Sequence, residues 1–126
     1  SLTGALPESL FEIQTLSVLD LDTNAFTGTI PSFIGNLENL KWFQIDRNSF
    51  TGQMPVEISS LNNLRYFTFI GNEFTGSVPT PICELITVQK SLDYLWGSCE
   101  YCDTSCCTFC CPEDGPCQGS NMPANP

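Results

Sequence analysis

A repeat of 24 residues constrains the fold of this chain more than any other feature. Three copies follow one another over residues 16–87 with no insertion or deletion. The first copy begins Leu16-x-x-Leu19-x-Leu21-x-x-Asn24-x-Phe26-x-Gly28-x-Ile30-Pro31. A fixed period of this length is typical of a solenoid, because one repeat buries its apolar face only by stacking on its neighbours. The sequence therefore predicts a solenoid.

Asparagine, phenylalanine, glycine and proline recur at fixed places in the repeat, and each has a structural interpretation. The asparagine amide, at the turn leaving each strand, can bond backbone groups of the adjacent coils. The glycine allows a left-handed backbone, and the proline holds an extended segment. These columns are Asn24, Asn48 and Asn72; Phe26, Phe50 and Phe74; Gly28, Gly52 and Gly76; and Pro31, Pro55 and Pro79.

The repeat resembles that of leucine-rich repeat proteins of the plant-specific type, whose signature is L-x-x-L-x-L-x-x-N-x-L-x-G-x-I-P-x-x-L-x-x-L. The resemblance implies an α/β fold, a right-handed solenoid with a parallel sheet on its concave face. Short α-helical or 3-10 turns are expected on its convex face. Because strand side chains alternate, Val18, Asp20 and Asp22 are expected to point outward while the leucines point inward.

The register of the repeat divides the chain into three parts. Residues 1–87 hold a partial first repeat and three full repeats at 16–39, 40–63 and 64–87. Residues 88–117 form a last strand and a cysteine-rich cap, and residues 118–126 are expected to be a flexible tail. Because residues 1–15 match a repeat that lacks its strand, we expect further repeats upstream, with which this segment would be in contact.

The cap holds seven of the eight cysteines. Disulfides are favoured by the cysteine doublets and the even count, although two Cys-x2-Cys spacings leave zinc as an alternative. The expected disulfide residues are Cys83, Cys99, Cys102, Cys106, Cys107, Cys110, Cys111 and Cys117, with Cys83 pairing into the terminal cluster. The string Leu92-x-x-Leu95-x-x-x-Cys99, followed by Cys106-Cys107-Thr108-x-Cys110-Cys111, resembles the cap of secreted leucine-rich repeat proteins from diatoms and algae, which implies an extracellular location.

The charge balance excludes several classes of function. The net charge is −10, with four basic residues and no histidine, which argues against binding nucleic acid. No apolar run approaches the ~20 residues of a membrane helix. The acidic residues form a poor catalytic constellation without histidine, so we expect no enzyme, and no cofactor or metal.

The variable strand positions are the place where a repeat protein carries its specificity. The predicted ligand-binding residues on the concave face are Val18, Asp20, Asp22, Trp42, Gln44, Asp46, Arg47, Tyr66, Thr68, Ile70, Tyr94 and Trp96. We interpret the chain as a recognition module for a protein, peptide or glycan, with Trp42 and Tyr66 exposed side by side and the aspartates forming a solvated acidic face. One alternative is a structural or assembly role. Another is ice binding through the column Thr3, Thr27, Thr51 and Thr75.

Overall fold

A computed structural model describes residues 2–102, 106–112 and 116–119 of the chain. The strands are β1 (Thr3–Gly4), β2 (Val18–Asp20), β3 (Ala25–Gly28), β4 (Trp42–Gln44), β5 (Ser49–Gly52), β6 (Tyr66–Thr68), β7 (Glu73–Phe74), β8 (Tyr94–Ser98), β9 (Phe109–Cys111) and β10 (Gln118–Gly119). Residues 120–126 of the predicted flexible tail lie outside the described residues, and its first two residues form β10.

The predicted parallel sheet on the concave face is confirmed, with the order β2-β4-β6-β8-β9-β10. Val18 pairs with Trp42, Trp42 with Tyr66, and Tyr66 with Tyr94, so the repeat period sets the register of four strands. The last pair, β9 with β10, is antiparallel. The cap thus extends the sheet by two strands that the sequence did not predict.

A second parallel sheet, with the order β1-β3-β5-β7, was also not predicted. Its strands are two to four residues long, too short for a clear alternation of apolar and polar residues. The asparagine column confirms its expected role here, because Asn48 Oδ1 accepts a hydrogen bond from Phe26 N (3.1 Å) and Asn48 Nδ2 donates to Leu21 O (2.8 Å). Each amide therefore joins its own coil to the preceding one.

The convex side consists of short helical turns, as predicted. Three are 3-10 helices, at Glu8–Glu12, Ser32–Asn36 and Val56–Ser60, each preceded by the proline of its repeat. The fourth is an α-helix, α1 (Thr80–Thr87). The four extra residues that interrupt the repeat before Leu92 accommodate this longer helix and the turn that follows it.

The core runs along the solenoid between the two sheets and the helical turns. Its fully buried side chains include Ile34, Leu37, Leu40, Phe43, Ile45, Phe50, Ile58, Leu61, Leu64, Phe67, Ile82, Leu85 and Leu95. Equivalent aromatic rings stack from coil to coil: the centroids of Phe43 and Phe67 are 5.1 Å apart. Gly97 in β8 is required by this packing, since a Cβ there would overlap the Phe69 ring and lie 2.8 Å from Cys102 Sγ.

Four disulfides hold the cap, which confirms the predicted disulfide-rich C-terminal end. They join Cys83 to Cys106, Cys99 to Cys110, Cys102 to Cys107, and Cys111 to Cys117. The first connects α1 to the cap, and the last lies between the ends of β9 and β10. Within the described part of the chain, no helix has both the length and the apolar character needed to cross a membrane.

Candidate functional site

The outward side of the concave sheet carries a continuous cluster of aromatic side chains. The rings of Trp42 and Tyr66 stack with their centroids 3.7 Å apart. Tyr66 also meets Trp96 edge-on at 5.2 Å and Tyr94 at 6.1 Å. Phe109 of β9, 4.9 Å from Trp96, ends the cluster and was missed because no repeat position marks it. We call these five side chains the aromatic cluster.

The aromatic cluster is less exposed than its sequence suggests. Trp42 and Tyr94 are partly exposed, whereas Tyr66 is 4% exposed and Trp96 only 1%. The expectation of an exposed Tyr66 is therefore wrong, because neighbouring strands bring the rings into contact with one another. Trp42, Tyr94 and Phe109, which is also partly exposed, are the members that offer surface to a partner.

The packing of the aromatic cluster changes the surroundings of two polar groups, the Tyr66 hydroxyl and the Trp96 indole N–H. Burial, and secondly the charge of Asp46, raises the pKa of Tyr66 to about 12, so its hydroxyl stays protonated at neutral pH. The buried Trp96 Nε1 has no hydrogen-bond partner among the described residues.

A chain of hydrogen bonds fixes the orientation of Trp42. Its Nε1 donates to Gln44 Oε1 at 3.0 Å, and Gln44 Nε2 donates to Asp22 Oδ2 at 3.3 Å. Gln44 is 9% exposed, so its amide is held between the indole and the carboxylate. The indole plane is consequently set by both this chain of bonds and the stack on Tyr66.

Asp46 is buried rather than part of a solvated acidic face, which corrects the expectation from sequence. Its Oδ1 accepts hydrogen bonds from Thr68 Oγ1 at 2.5 Å and from Ile70 N at 2.6 Å, both in the next coil. The residue is 7% exposed and Thr68 is fully buried. Desolvation raises the pKa of Asp46, outweighing the two hydrogen bonds that favour its charged form. Asp46 therefore joins two coils.

Asp20 and Asp22 form the acidic edge of the face, over β2 and the turn after it. Asp22 N donates to Asp20 Oδ1 at 3.2 Å. Burial, followed by the charge of Asp20, raises the pKa of Asp22, and the nearby Arg47 offsets this only in part. Arg47 is exposed and has a left-handed backbone, with φ of 55°. Val18 completes this end of the face and is 42% exposed.

The second sheet presents the threonine column on another side of the solenoid. Thr3, Thr27 and Thr75 are exposed, and Thr51 is half-buried. The strands are staggered, so Thr27 pairs with Ser49 rather than with Thr51.

A hollow of about 480 Å³ lies elsewhere, between the last repeat and the cap, over Phe69, Phe74 and Tyr101. Ligand binding at any of these places stays a prediction.

Comparisons with known proteins agree with this architecture. Residues 15–37 match the family model described as Leucine Rich Repeat. A search of curated proteins found no match. One chain of the BIR3–SERK2 complex from Arabidopsis thaliana is 28% identical, with a TM-score of 0.63 over 65% of this chain and 44% of that one.

Two further solved structures are similar. The Arabidopsis receptor kinase HAESA, in complex with the peptide hormone IDA and the co-receptor SERK1, is 33% identical with a TM-score of 0.65; the match covers 76% of this chain and 17% of that one. A plant ice-binding protein is 24% identical with a TM-score of 0.67, covering 81% and 31% respectively, and this likeness shows the fold alone. The chain thus spans less than half the length of each.

The repeated coil, with one strand in the concave sheet and a short helical turn opposite, defines a parallel solenoid of the leucine-rich repeat class. The chain is a leucine-rich repeat protein, with repeats of the plant-specific type and a cap held by four disulfides. Its resemblance to diatom and algal caps stays a prediction.

Proposed function

We propose that this chain is an extracellular recognition module that binds a peptide or protein partner on its concave face. The observation that carries the proposal is the partly exposed Trp42, fixed by Tyr66 and Gln44 on the side of the sheet that the core does not use. Rigid aromatic side chains of this kind are enriched among residues that dominate binding energy. The module acts by binding rather than by catalysis.

Two observations support the partner class and the location. The HAESA structure contains a peptide hormone and a co-receptor, and the BIR3–SERK2 structure is a protein–protein complex. All eight cysteines are engaged in disulfides, which persist in oxidising compartments such as the extracellular space.

The test is affinity capture from native extracellular material, with Trp42→Ala beside the unchanged protein. Phe33→Ala is the matched control, because Phe33 is also an exposed aromatic residue (46%) but lies in the convex 3-10 helix Ser32–Asn36. We expect a partner identified by mass spectrometry to be bound at least ~10-fold more weakly by Trp42→Ala, the loss typical of a binding hot spot. Tyr66 is left intact because its burial makes Tyr66→Ala a packing change.

Equal capture by Trp42→Ala and by Phe33→Ala, or capture of nothing but other repeats of the same protein, would contradict concave-face recognition and favour a structural role.

Ice binding is the second candidate, supported by the exposed threonines of the second sheet. Inhibition of ice recrystallisation that survives Trp42→Ala but is lost in Thr27→Tyr, Thr51→Tyr would select it.

A further inference from the structure

The carboxylates of Asp20 and Asp22 are hydrogen-bond acceptors on the same part of the concave face as Trp42. Three donor groups on this part of the concave face are engaged: Trp42 Nε1 donates to Gln44, Gln44 Nε2 donates to Asp22, and Thr68 Oγ1 donates to Asp46. Asp20 accepts one hydrogen bond, from Asp22 N. Asp22 accepts one from Gln44 Nε2 and one from the Thr23 side chain, although an ionised carboxylate has about four lone-pair sites. These two carboxylates favour a ligand that donates hydrogen bonds to them.

These two carboxylates also lack a close cationic partner. Among the described residues, the ion pair within 4.0 Å is Arg65 with Asp93, at 2.7 Å, and it does not involve Asp20 or Asp22. The pKa of Asp22 is raised by burial and then by the charge of Asp20, and Arg47 offsets this rise only in part. A cation bound beside them would be favoured, and the net charge of −10 would attract it from a distance.

Trp42 supplies an aromatic platform next to this charge. One face of its indole packs on Tyr66, and in the sheet Trp42 pairs on its other side with Val18. The opposite face of the indole is therefore turned toward β2, the strand that ends at Asp20. Cations, arginine more often than lysine, bind over the face of tryptophan within about 6 Å of the ring centroid.

We propose that this end of the concave face binds a guanidinium group, the side chain of an arginine in a peptide or protein partner. The guanidinium would stack on Trp42 and donate hydrogen bonds to Asp20 and Asp22. It fits because it has five N–H donors and no acceptor, so every polar group it brings can meet the two carboxylates, whereas a sugar hydroxyl is both donor and acceptor and carries no charge. This inference rests on the proposed function and names the partner chemistry recognised there.

A divalent cation is a poorer match for the same place. Within the described ranges no group of three histidine, cysteine, aspartate or glutamate side chains is placed to hold a metal ion. Asp46, the third aspartate of the face, directs its Oδ1 to Thr68 and Ile70 in the next coil. Calcium usually takes six to eight oxygen ligands, which two carboxylates do not supply.

The experiment titrates the whole chain with N-acetyl-arginine methylamide at low salt and follows the Trp42 indole N–H by NMR. We expect a saturable shift that is at least ~10-fold weaker for the citrulline analogue, which has the same shape without the charge. Asp20→Asn, Asp22→Asn should weaken binding to the same extent. Each asparagine keeps one side-chain oxygen that can accept the hydrogen bond made in the native fold, by Asp22 N to residue 20 and by Gln44 Nε2 to residue 22, and a dispersed spectrum will verify folding.

Glu8→Gln, Glu12→Gln is the matched control, because it removes the same two charges from the 3-10 helix Glu8–Glu12 on the convex side. Equal binding of citrulline, unchanged binding by the asparagine variant, or an equal loss in the control would overturn the proposal. A response to cellohexaose with none to the arginine probe would assign the site to a glycan instead. Partner capture that depends on Trp42 but not on Asp20 and Asp22 would overturn the guanidinium site while leaving the recognition function standing.

Discussion

At the scale of single residues, the Asp46 carboxylate carries a charge that folding removes from water. Its pKa is raised mainly by burial, so the folded chain binds this proton more readily than the unfolded chain does. The proton on Asp46 therefore contributes its full stabilisation at a pH below 3.8, the ordinary pKa of this carboxyl group. The contribution is lost as the pH rises through the higher pKa that the group has in the folded chain. We expect Asp46→Asn, which keeps an Oδ1 acceptor, to match or exceed the unchanged protein in stability at pH 7 and to lose that advantage in acid.

Urea unfolding between pH 3 and pH 7 measures this difference. Glu12→Gln removes one charge from the convex side and controls for the change in net charge. An advantage of Asp46→Asn that grows as pH falls would contradict the prediction, because it would mean that the hydrogen bonds from Thr68 and Ile70 outweigh desolvation. Asp46→Ala is a different change: it leaves two donors unpaired and should cost about 1–3 kcal/mol at any pH.

At the scale of elements, the disulfide between Cys83 and Cys106 ties α1 to the cap across 23 residues of sequence. The entropy model of cross-linking assigns about 3 kcal/mol to a loop of this length and about 2 kcal/mol to the loop of the Cys111–Cys117 bridge, whose cysteines are 6 apart. We expect Cys83→Ala, Cys106→Ala to lower the free energy of unfolding more than Cys111→Ala, Cys117→Ala does. Cys106 is also 2% exposed, which adds a loss of packing.

Denaturant unfolding of the two double variants gives the comparison, with thiol counting to verify that the other three bridges have formed. A larger loss for the Cys111–Cys117 pair would mean that this bridge, which lies at the ends of β9 and β10, supports the sheet through native-state contacts. The order of the two losses, rather than either value, decides the question.

At the scale of the whole molecule, a net charge of −10 opposes the compact state through self-repulsion. Salt shortens the screening length from about 30 Å at 10 mM to about 8 Å at 150 mM. We expect the melting temperature at pH 7 to rise by several degrees, on the order of the shift that ~1 kcal/mol produces, between these two salt concentrations. The control is about pH 4.1, the isoelectric point expected from the sequence, where the net charge is close to zero. An equal rise at both pH values would contradict screening as the cause.

The sequence by itself determined the solenoid, the parallel concave sheet and the disulfide-rich cap. The solenoid and its sheet follow from periodicity, because a 24-residue repeat places equivalent positions of successive coils beside one another. The asparagine ladder followed for the same reason: an amide repeated at each turn has the backbone of adjacent coils within reach. The cap follows from the number and spacing of the cysteines.

Only the tertiary structure decided the second sheet, the two strands of the cap and the character of the candidate site. The cap strands lie outside the repeat, so no repeat position sets the register in which Trp96 pairs with Phe109. The outward positions looked exposed when taken strand by strand. Their burial is a property of neighbouring coils, since strands ~4.8 Å apart let Tyr66 pack between Trp42 and Trp96 and let Asp46 reach Thr68.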